Sequence, residues 1–160
     1  MKFIANIVLV APEIPHNTGN IIRLCANVGA RLHLVKPIGF SLDNSNLQRA
    51  ALDYTDLTNM IVHDSTEDFL DSASIDRVFA AVTNSSVRYT IPQYQLGDTI
   101  IFGSESVGLS HQVTSKIPDI NRIQIPMMPS NRSINLSNAV AVVAYEMWRQ
   151  IGFLGANTQK

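Results

Sequence analysis

The sequence predicts one α/β domain with a mostly parallel sheet and helices on both faces. Apolar, β-rich runs alternate with helical periodicity along the chain, which is the pattern of strands connected by helices. The 160 residues fit one domain, residues 1–160, and no linker, repeat or low-complexity tract divides them. Hydrophobic residues make up 46% and charged residues 16%, as in globular proteins.

Each element has a local signal. Five runs predict strands, namely Asn6–Ala11, Arg31–Val35, Arg77–Val82, Thr99–Gly103 and Arg122–Pro126. Helical periodicity covers Gly19–Ala30, Asn46–Tyr54, Ser65–Ala73, Gly108–Ile117 and Ile134–Gly152. Ser65, with Asp68 three residues later, predicts a capped helix start, and Gly152 predicts the end of the last helix.

The last predicted helix is apolar on more than one face. A core stripe at helical spacing comprises Leu136, Ala139, Val140, Val143, Ala144, Met147 and Ile151. Ala141, Val142, Tyr145 and Trp148 add apolar surface outside it. A chain of this size has little material left to cover that surface, so we expect a homodimer rather than a fully covered core helix.

Composition excludes several classes of protein. The single cysteine, Cys25, excludes an internal disulfide and a cysteine-based zinc cluster, and a reducing, cytoplasmic setting is expected. The N-terminal apolar run is closed by Pro12 and Glu13 and is interpreted as a strand, not a signal peptide. No segment approaches the roughly 20 apolar residues of a membrane span. A net charge of −1 means that RNA contact would need a local cluster of cations.

Two loops after predicted strands contain polar and glycine residues where α/β proteins bind ligands. In the first, Asn17, Gly19 and Arg23 surround a helix start, where amide groups and an arginine could hold a phosphate. An equally good alternative to phosphate binding is that Asn17 or Thr18 caps the helix and that Arg23 is a solvated side chain. In the second, Phe102–Leu109, Gly103 and Gly108 permit close backbone approach, although a simple glycine turn explains them as well.

A third loop, Pro129–Ala139, is a polar segment between two apolar runs. It holds three Asn, three Ser and an Arg, and its position predicts partial burial. Buried polar groups need partners, and a helix cap would use only one of these side chains, so a ligand is indicated. The four His show no metal spacing, and no metal site is expected.

The segments PHNTGNIIRLCAN, FGSESVGL and IPMMPSNRSINLSNAVAVVAYE resemble the three signature motifs of the SPOUT superfamily of RNA methyltransferases. Gly39–Phe40, Leu52–Tyr54 and Tyr145–Gln150 extend the resemblance over nearly the whole chain. Within that superfamily the chain resembles the small bacterial tRNA 2′-O-methyltransferases that modify the wobble cytidine or modified uridine of leucine tRNAs.

The resemblance implies a C-terminal deep trefoil knot, S-adenosyl-L-methionine as methyl donor, and a homodimer with active sites at the subunit interface. By position, the donor site would comprise Ala81, Gly103, Ile125, Met127, Ser133, Leu136 and Asn138. The family often has a bulkier residue at Ala81. Where relatives have TTKG, this chain has Thr83–Ser86, which lacks the lysine.

The resemblance ties catalysis to Arg23. Because arginine stays protonated, we expect it to clamp the phosphate beside the target ribose and polarise the 2′-hydroxyl, with Asn17 and Glu105 as positioning groups. The predicted RNA contacts are Arg23, Arg88, Arg132 and Arg149, and Tyr145 is predicted at the dimer interface. The alternatives are a SPOUT enzyme acting on another tRNA position or on rRNA, and a non-catalytic RNA- or nucleotide-binding module.

Overall fold

The computed structural model describes residues 3–43, 45, 47 and 60–157, and in this part of the chain seven strands form one parallel sheet. The strands are β1 (Ala5–Val10), β2 (Arg31–Val35), β3 (Met60–His63), β4 (Val78–Ala81), β5 (Val87–Arg88), β6 (Asp98–Phe102) and β7 (Arg122–Gln124). The helices are α1 (Pro15–Val28), α2 (Thr66–Ser72), α3 (His111–Thr114) and α4 (Leu136–Gln150). Single 3₁₀ turns cover Ile75–Arg77 and Asp119–Asn121. The predicted α/β class is confirmed.

The strand order is β3-β2-β1-β6-β4-β7-β5, so that β6 lies between β1 and β4. Leu9 of β1 is the register partner of Phe102, and Ala80 of β4 is the partner of Ile101. Because all these strands are parallel, the loops that follow β1, β4, β6 and β7 leave the sheet at the same edge. The three polar and glycine-rich loops singled out in the sequence follow three of these strands.

Alternating side chains of the central strands enter two separate cores. Ile7 and Leu9 of β1 belong to the core that includes buried residues of α1 and α4. Val8, between them, belongs to the opposite core with Phe69 of α2 and Ile117 beyond α3. This alternation is the period of a strand buried on both faces. The predicted helices on both faces of the sheet are therefore confirmed.

Helix α4 buries the stripe predicted for it. The fully buried positions are Leu136, Ala139, Val140, Val143, Ala144 and Met147, and Ile151 is half-buried beyond the helix end. On the outer side, Ala141, Val142 and Trp148 are half-buried and Tyr145 is 45% exposed. The single chain thus leaves the second apolar side of this helix partly uncovered.

Several boundaries differ from the sequence prediction. Strands β3 and β5 were not predicted. Helix α1 begins at Pro15 rather than Gly19, because proline suits the first helical position. Helix α3 has four residues instead of the predicted ten-residue segment 108–117. The predicted helix Asn46–Tyr54 lies almost wholly outside the described residues. The cap at Ser65 is confirmed, since its hydroxyl accepts from the Asp68 amide at 3.0 Å.

Candidate active site

A cavity of about 500 Å³ lies at the carboxyl edge of the sheet. The loops after β4, β6 and β7 and the first turns of α1 and α4 form its wall. The lining residues are Ile14, Asn17, Ala81, Val82, Thr83, Phe102, Gly103, Ser104, Glu105, Ser106, Val107, Gly108, Ile125, Met127, Arg132, Ser133, Ile134, Asn135, Leu136 and Ala139. This volume and this mixture of apolar and polar groups suit a ligand of nucleoside size.

Six of the seven positions predicted for the methyl donor line this cavity. They are Ala81, Gly103, Ile125, Met127, Ser133 and Leu136. The seventh, Asn138, is exposed in the first turn of α4 and does not belong to the wall, and its amide donates to the Asn135 side chain at 3.3 Å. The structure thus brings together residues from three separate segments of the chain.

Gly103 is required by the way the β6 loop closes on itself. A Cβ atom at this position would lie 1.9 Å from the carbonyl carbon of Gly108. The amide of Gly108 donates to the carbonyl of Ser104 at 2.9 Å and holds the two ends of the loop together. Any side chain at Gly103 would therefore force the loop open and deform the cavity wall.

Glu105 caps helix α1 from a distant part of the chain. The cap residue Ile14 has no side-chain acceptor for the free amides of the first turn. The carboxylate of Glu105 accepts instead from the amides of Glu13 at 2.8 Å and Ile14 at 3.1 Å. It also accepts from the Asn17 Nδ2 at 3.1 Å. A carboxylate at this position interacts favourably with the helix dipole as well as with the amides.

Asn17 connects this cap to the start of α4. Its side chain is buried, with 4% of its surface exposed, and its Oδ1 accepts from Asn135 Nδ2 at 3.1 Å. The Oδ1 of Asn135 accepts from the Ser137 amide at 3.0 Å and thereby caps α4. Since Asn17 is the third residue of α1, neither it nor Thr18 caps that helix. A chain of hydrogen bonds thus runs from Glu105 through Asn17 to Asn135.

Asn135 is a site residue that the sequence reasoning missed. Its signal was present, because asparagine is a preferred cap residue and stands directly before the apolar run of α4. The sequence gives no local signal for its hydrogen bond to Asn17, since the two residues are 118 positions apart. This residue joins the loop after β7 to the first turn of α1.

The predicted partial burial of segment 129–139 holds only at its end, where Leu136 and Ala139 are buried, and not for most of its polar side chains. Residues 131–135 are all exposed, although apolar segments flank them. The reason is geometric, because the loop forms the rim of an open cavity instead of crossing the core. Its turn places Ser130 at φ 75°. The polar side chains therefore meet solvent or whatever occupies the cavity.

Arg23 is not among the residues that line the cavity of its own chain. It is exposed on the outer side of α1 and six residues beyond Asn17, which separates the two Cα atoms by about 9 Å along the helix axis. Within the described residues, Arg23 forms no ion pair. Glu105 and Asn17 therefore position the start of the helix that carries Arg23 and make no direct bond to its guanidinium.

The other predicted RNA contacts are dispersed. Arg132 lines the cavity, and Arg88 is exposed on the edge strand β5. Arg149, in the last turn of α4, donates to both carboxylate oxygens of Glu146 at 2.8 and 2.9 Å. These bonds hold the pKa of Glu146 below its ordinary value.

An aromatic cluster extends the uncovered side of α4. The ring centroids of Tyr145 and Trp148 are 5.8 Å apart, and those of Trp148 and Phe153 are 5.4 Å apart. Trp148 Nε1 donates to the carbonyl of Leu154 at 3.0 Å, which fixes the turn beyond the helix. Phe153 and Leu154 are exposed. We call Val142, Tyr145, Trp148, Phe153 and Leu154 the aromatic patch.

Three findings concern other kinds of function. Across residues 3–43, 45, 47 and 60–157, no group of three His, Cys, Asp or Glu side chains is arranged to hold a metal ion. None of the helices in these ranges is long and apolar enough to cross a membrane. Cys25 is buried in α1, and desolvation raises the pKa of its thiol to about 12, so it is not a reactive thiolate.

Comparison with known proteins identifies the family. Residues 5–145 match the model of the SpoU rRNA Methylase family. The chain belongs to this family. It is 51% identical over 151 residues to a tRNA (cytidine(34)-2'-O)-methyltransferase of Methylovorus glucosotrophus (strain SIP3-4), with 94% of this chain and 98% of that protein covered. The predicted resemblance to SPOUT RNA methyltransferases is confirmed.

Solved structures agree with this assignment. One, described as structural insights into the 2-OH methylation of C/U34 on tRNA, matches with a TM-score of 0.86 at 39% identity and covers 93% of this chain and 97% of its own. Another is the SpoU methyltransferase AviRb from Streptomyces viridochromogenes in complex with the cofactor AdoMet. It matches with a TM-score of 0.82 at 20% identity over 98% of this chain and 60% of its own, which shows that the SpoU fold is shared.

Proposed function

We propose that this SpoU-family chain transfers a methyl group from S-adenosyl-L-methionine to the 2′-hydroxyl of the wobble nucleotide, cytidine or modified uridine, in leucine tRNAs. The observation that carries the proposal is the cavity in which the three motif segments meet, with six predicted donor positions in its wall. The name of the 51% identical relative supports position 34 of a tRNA over an rRNA target. A cytoplasmic setting and the C-terminal trefoil knot belong to the same proposal.

The residues of the cavity fit the proposed donor. Its volume of about 500 Å³ accepts a nucleoside with an amino-acid tail, and Ile125, Met127 and Leu136 offer apolar contact to a purine. When bound, the donor supplies an activated methyl group on a sulfonium, so that the new O–C bond forms as the S–C bond breaks. No metal is required to activate such a group. The task left to the protein is to align the acceptor hydroxyl and relieve it of its proton.

Arg23 is the proposed group for that task. Its guanidinium would clamp the phosphate next to the target ribose and polarise the hydroxyl, while the proton passes to the phosphate or to water. The Glu105–Asn17–Asn135 chain would fix α1 relative to the cavity, so that Arg23 is presented at a constant position. Arg88, Arg132 and Arg149 would supply the remaining contacts to the RNA backbone.

A homodimer would explain why Arg23 does not line the cavity of its own chain. The aromatic patch offers the apolar surface for a second copy, with Tyr145 near its centre. Docking of two copies through α4 would bring the outer side of one α1 towards the cavity of the partner. One active site would then use Arg23 from one subunit and the donor cavity from the other.

The activity is tested with labelled S-adenosyl-L-methionine and bulk tRNA, followed by mass spectrometry of the modified nucleosides. Methylation at the wobble nucleotide of leucine tRNAs is the expected result. A mark elsewhere in tRNA, or in rRNA only, would replace the substrate assignment. No incorporation with either RNA would favour the non-catalytic binding module.

Arg23→Ala is expected to lower the methylation rate at least about a hundredfold with unchanged donor binding. Lys116→Ala, on the exposed surface beside Glu67, is the matched control and should keep full activity. Full methylation by Arg23→Ala would overturn the assigned role. Mixing Arg23→Ala with Leu136→Trp, which blocks the donor cavity, should restore part of the activity if the active site is shared between subunits.

A further inference from the structure

Two buried hydroxyl groups lack a hydrogen-bond partner. They are Oγ1 of Thr18 and Oγ of Ser104, among the side chains that the structure describes. Thr18 has none of its surface exposed and Ser104 has 7%. A buried hydroxyl without a partner is unfavourable, and native proteins hold few of them. The burial of each of these two hydroxyls without a partner therefore needs an explanation.

The two residues differ in one decisive respect. Ser104 belongs to the wall of the cavity, between Gly103 and Glu105, whereas Thr18 lies in α1 outside that wall. The backbone of Ser104 is fixed, because its carbonyl accepts from the Gly108 amide and the following side chain caps α1. The Ser104 side chain retains one rotatable bond with staggered alternatives. Rotation about that bond moves the hydroxyl while the wall stays in place.

We propose that Ser104 is a further ligand-binding residue of this site, whose hydroxyl turns into the cavity and hydrogen-bonds an oxygen of the methyl donor. The inference rests on the proposed function and names a donor contact outside the seven predicted positions. A serine hydroxyl can donate to a carboxylate and can exchange hydrogen bonds with a ribose hydroxyl, so both oxygen-bearing parts of the donor fit.

The unpaired state of the hydroxyl favours this contact. The Ser104 hydroxyl is buried, and no protein group in the described part of the chain supplies a hydrogen bond to it. A ligand oxygen that supplies the missing bond therefore removes an existing penalty instead of only replacing solvent. Ser104 then increases donor affinity beyond what the apolar wall provides.

The test compares wild type, Ser104→Ala and Thr18→Val by isothermal titration with S-adenosyl-L-methionine and with 5′-methylthioadenosine, which lacks the carboxylate. Ser104→Ala should bind S-adenosyl-L-methionine about three- to tenfold more weakly. Thr18→Val, which removes the other unpaired hydroxyl, should bind within about twofold of wild type. Melting temperatures without ligand should not fall for either variant, since each loses an unsatisfied group.

The outcomes separate this inference from the proposed function. Weaker binding of both ligands by Ser104→Ala assigns the contact to the ribose, and weaker binding of S-adenosyl-L-methionine only assigns it to the carboxylate. Equal affinities of wild type and Ser104→Ala overturn the inference and leave the proposed function standing. A loss of affinity in Thr18→Val as large as that in Ser104→Ala overturns the inference as well. If wild type binds neither ligand, the proposed function fails and this inference fails with it.

Discussion

Removing the Glu105 carboxylate tests whether a loop 90 residues away holds the start of α1. In Glu105→Ala the amides of Glu13 and Ile14 lose their acceptor, and the buried Asn17 amide loses its partner. Loss of a helix cap costs about 0.5–2 kcal/mol, and the lost charge near the helix start adds about 0.3–1 kcal/mol. The buried Nδ2 of Asn17 is left without an acceptor, which costs about 1 kcal/mol in addition. We expect a total loss of about 2–4 kcal/mol.

For a chain of this length that loss lowers the melting temperature by about 4–16 °C. Urea unfolding followed by circular dichroism gives the free energy directly. Glu105→Gln keeps the size and one acceptor oxygen, so about half of the loss is expected. Asp71→Ala, an exposed carboxylate on α2, is the control and should change the free energy by less than about 0.5 kcal/mol.

A loss in Glu105→Ala no larger than that of Asp71→Ala would refute the capping argument. Under the proposed function the structural role also has a catalytic consequence, because α1 carries Arg23, the proposed catalytic residue. If Glu105 acts through the helix, methylation should fall in both Glu105 variants in the same order as stability. A large loss of activity in Glu105→Gln without loss of stability would instead place the carboxylate in the reaction.

Two further predictions concern the fold. Burial, followed by the charges of His63 and Arg31, lowers the pKa of His33 from 6.5 to about 4. The stabilisation that comes from neutral His33 is therefore fully present above pH 6.5, and about 3 kcal/mol of it is lost as the pH falls to 4. Urea unfolding at pH 7 and pH 4 should show this loss of free energy in wild type and much less of it in His33→Gln. An equal change in the free energy of unfolding between the two pH values in both proteins would contradict the prediction. Gly103→Ala should cost more than about 3 kcal/mol because its Cβ meets the Gly108 backbone, whereas Gly97→Ala, at φ 89° with open space, should cost about 1–2 kcal/mol. Equal melting temperatures of the two variants would show that the loop can open.

The sequence predicted the elements whose signals are local. The central strands and α4 were found because their apolar residues recur at the period of the element that buries them. Strand β3 escaped since it has four residues, of which Ile61 and Val62 remain 38% exposed. Strand β5 has two residues, which is too short for any periodicity. Short edge strands are defined by their neighbours more than by their own composition.

The candidate site also has features that the sequence predicted and features that it did not. Its members were predicted from motif resemblance, and six of the seven positions predicted for the methyl donor lie in one cavity wall. The bonds that organise them could not be predicted, because Glu105 and Asn17 are 88 residues apart and Asn17 and Asn135 are 118 apart. The exposure of residues 131–135 was missed because flanking apolar residues report on the ends of a loop and not on its path.

The position of β6 has a consequence for how the chain reaches its native state. In the observed strand order, β1 and β4 share no border, so the two parts of the sheet are joined through β6. A growing polypeptide that has just completed β4 would therefore hold the paired strands β1, β2 and β3 and a separate β4, and residues 98–102 must insert between β1 and β4. Non-local pairing of this kind is slow to form. The cavity wall is complete only after that insertion and the arrival of α4, so the nascent chain cannot form the candidate site until residues 136–150 have been made.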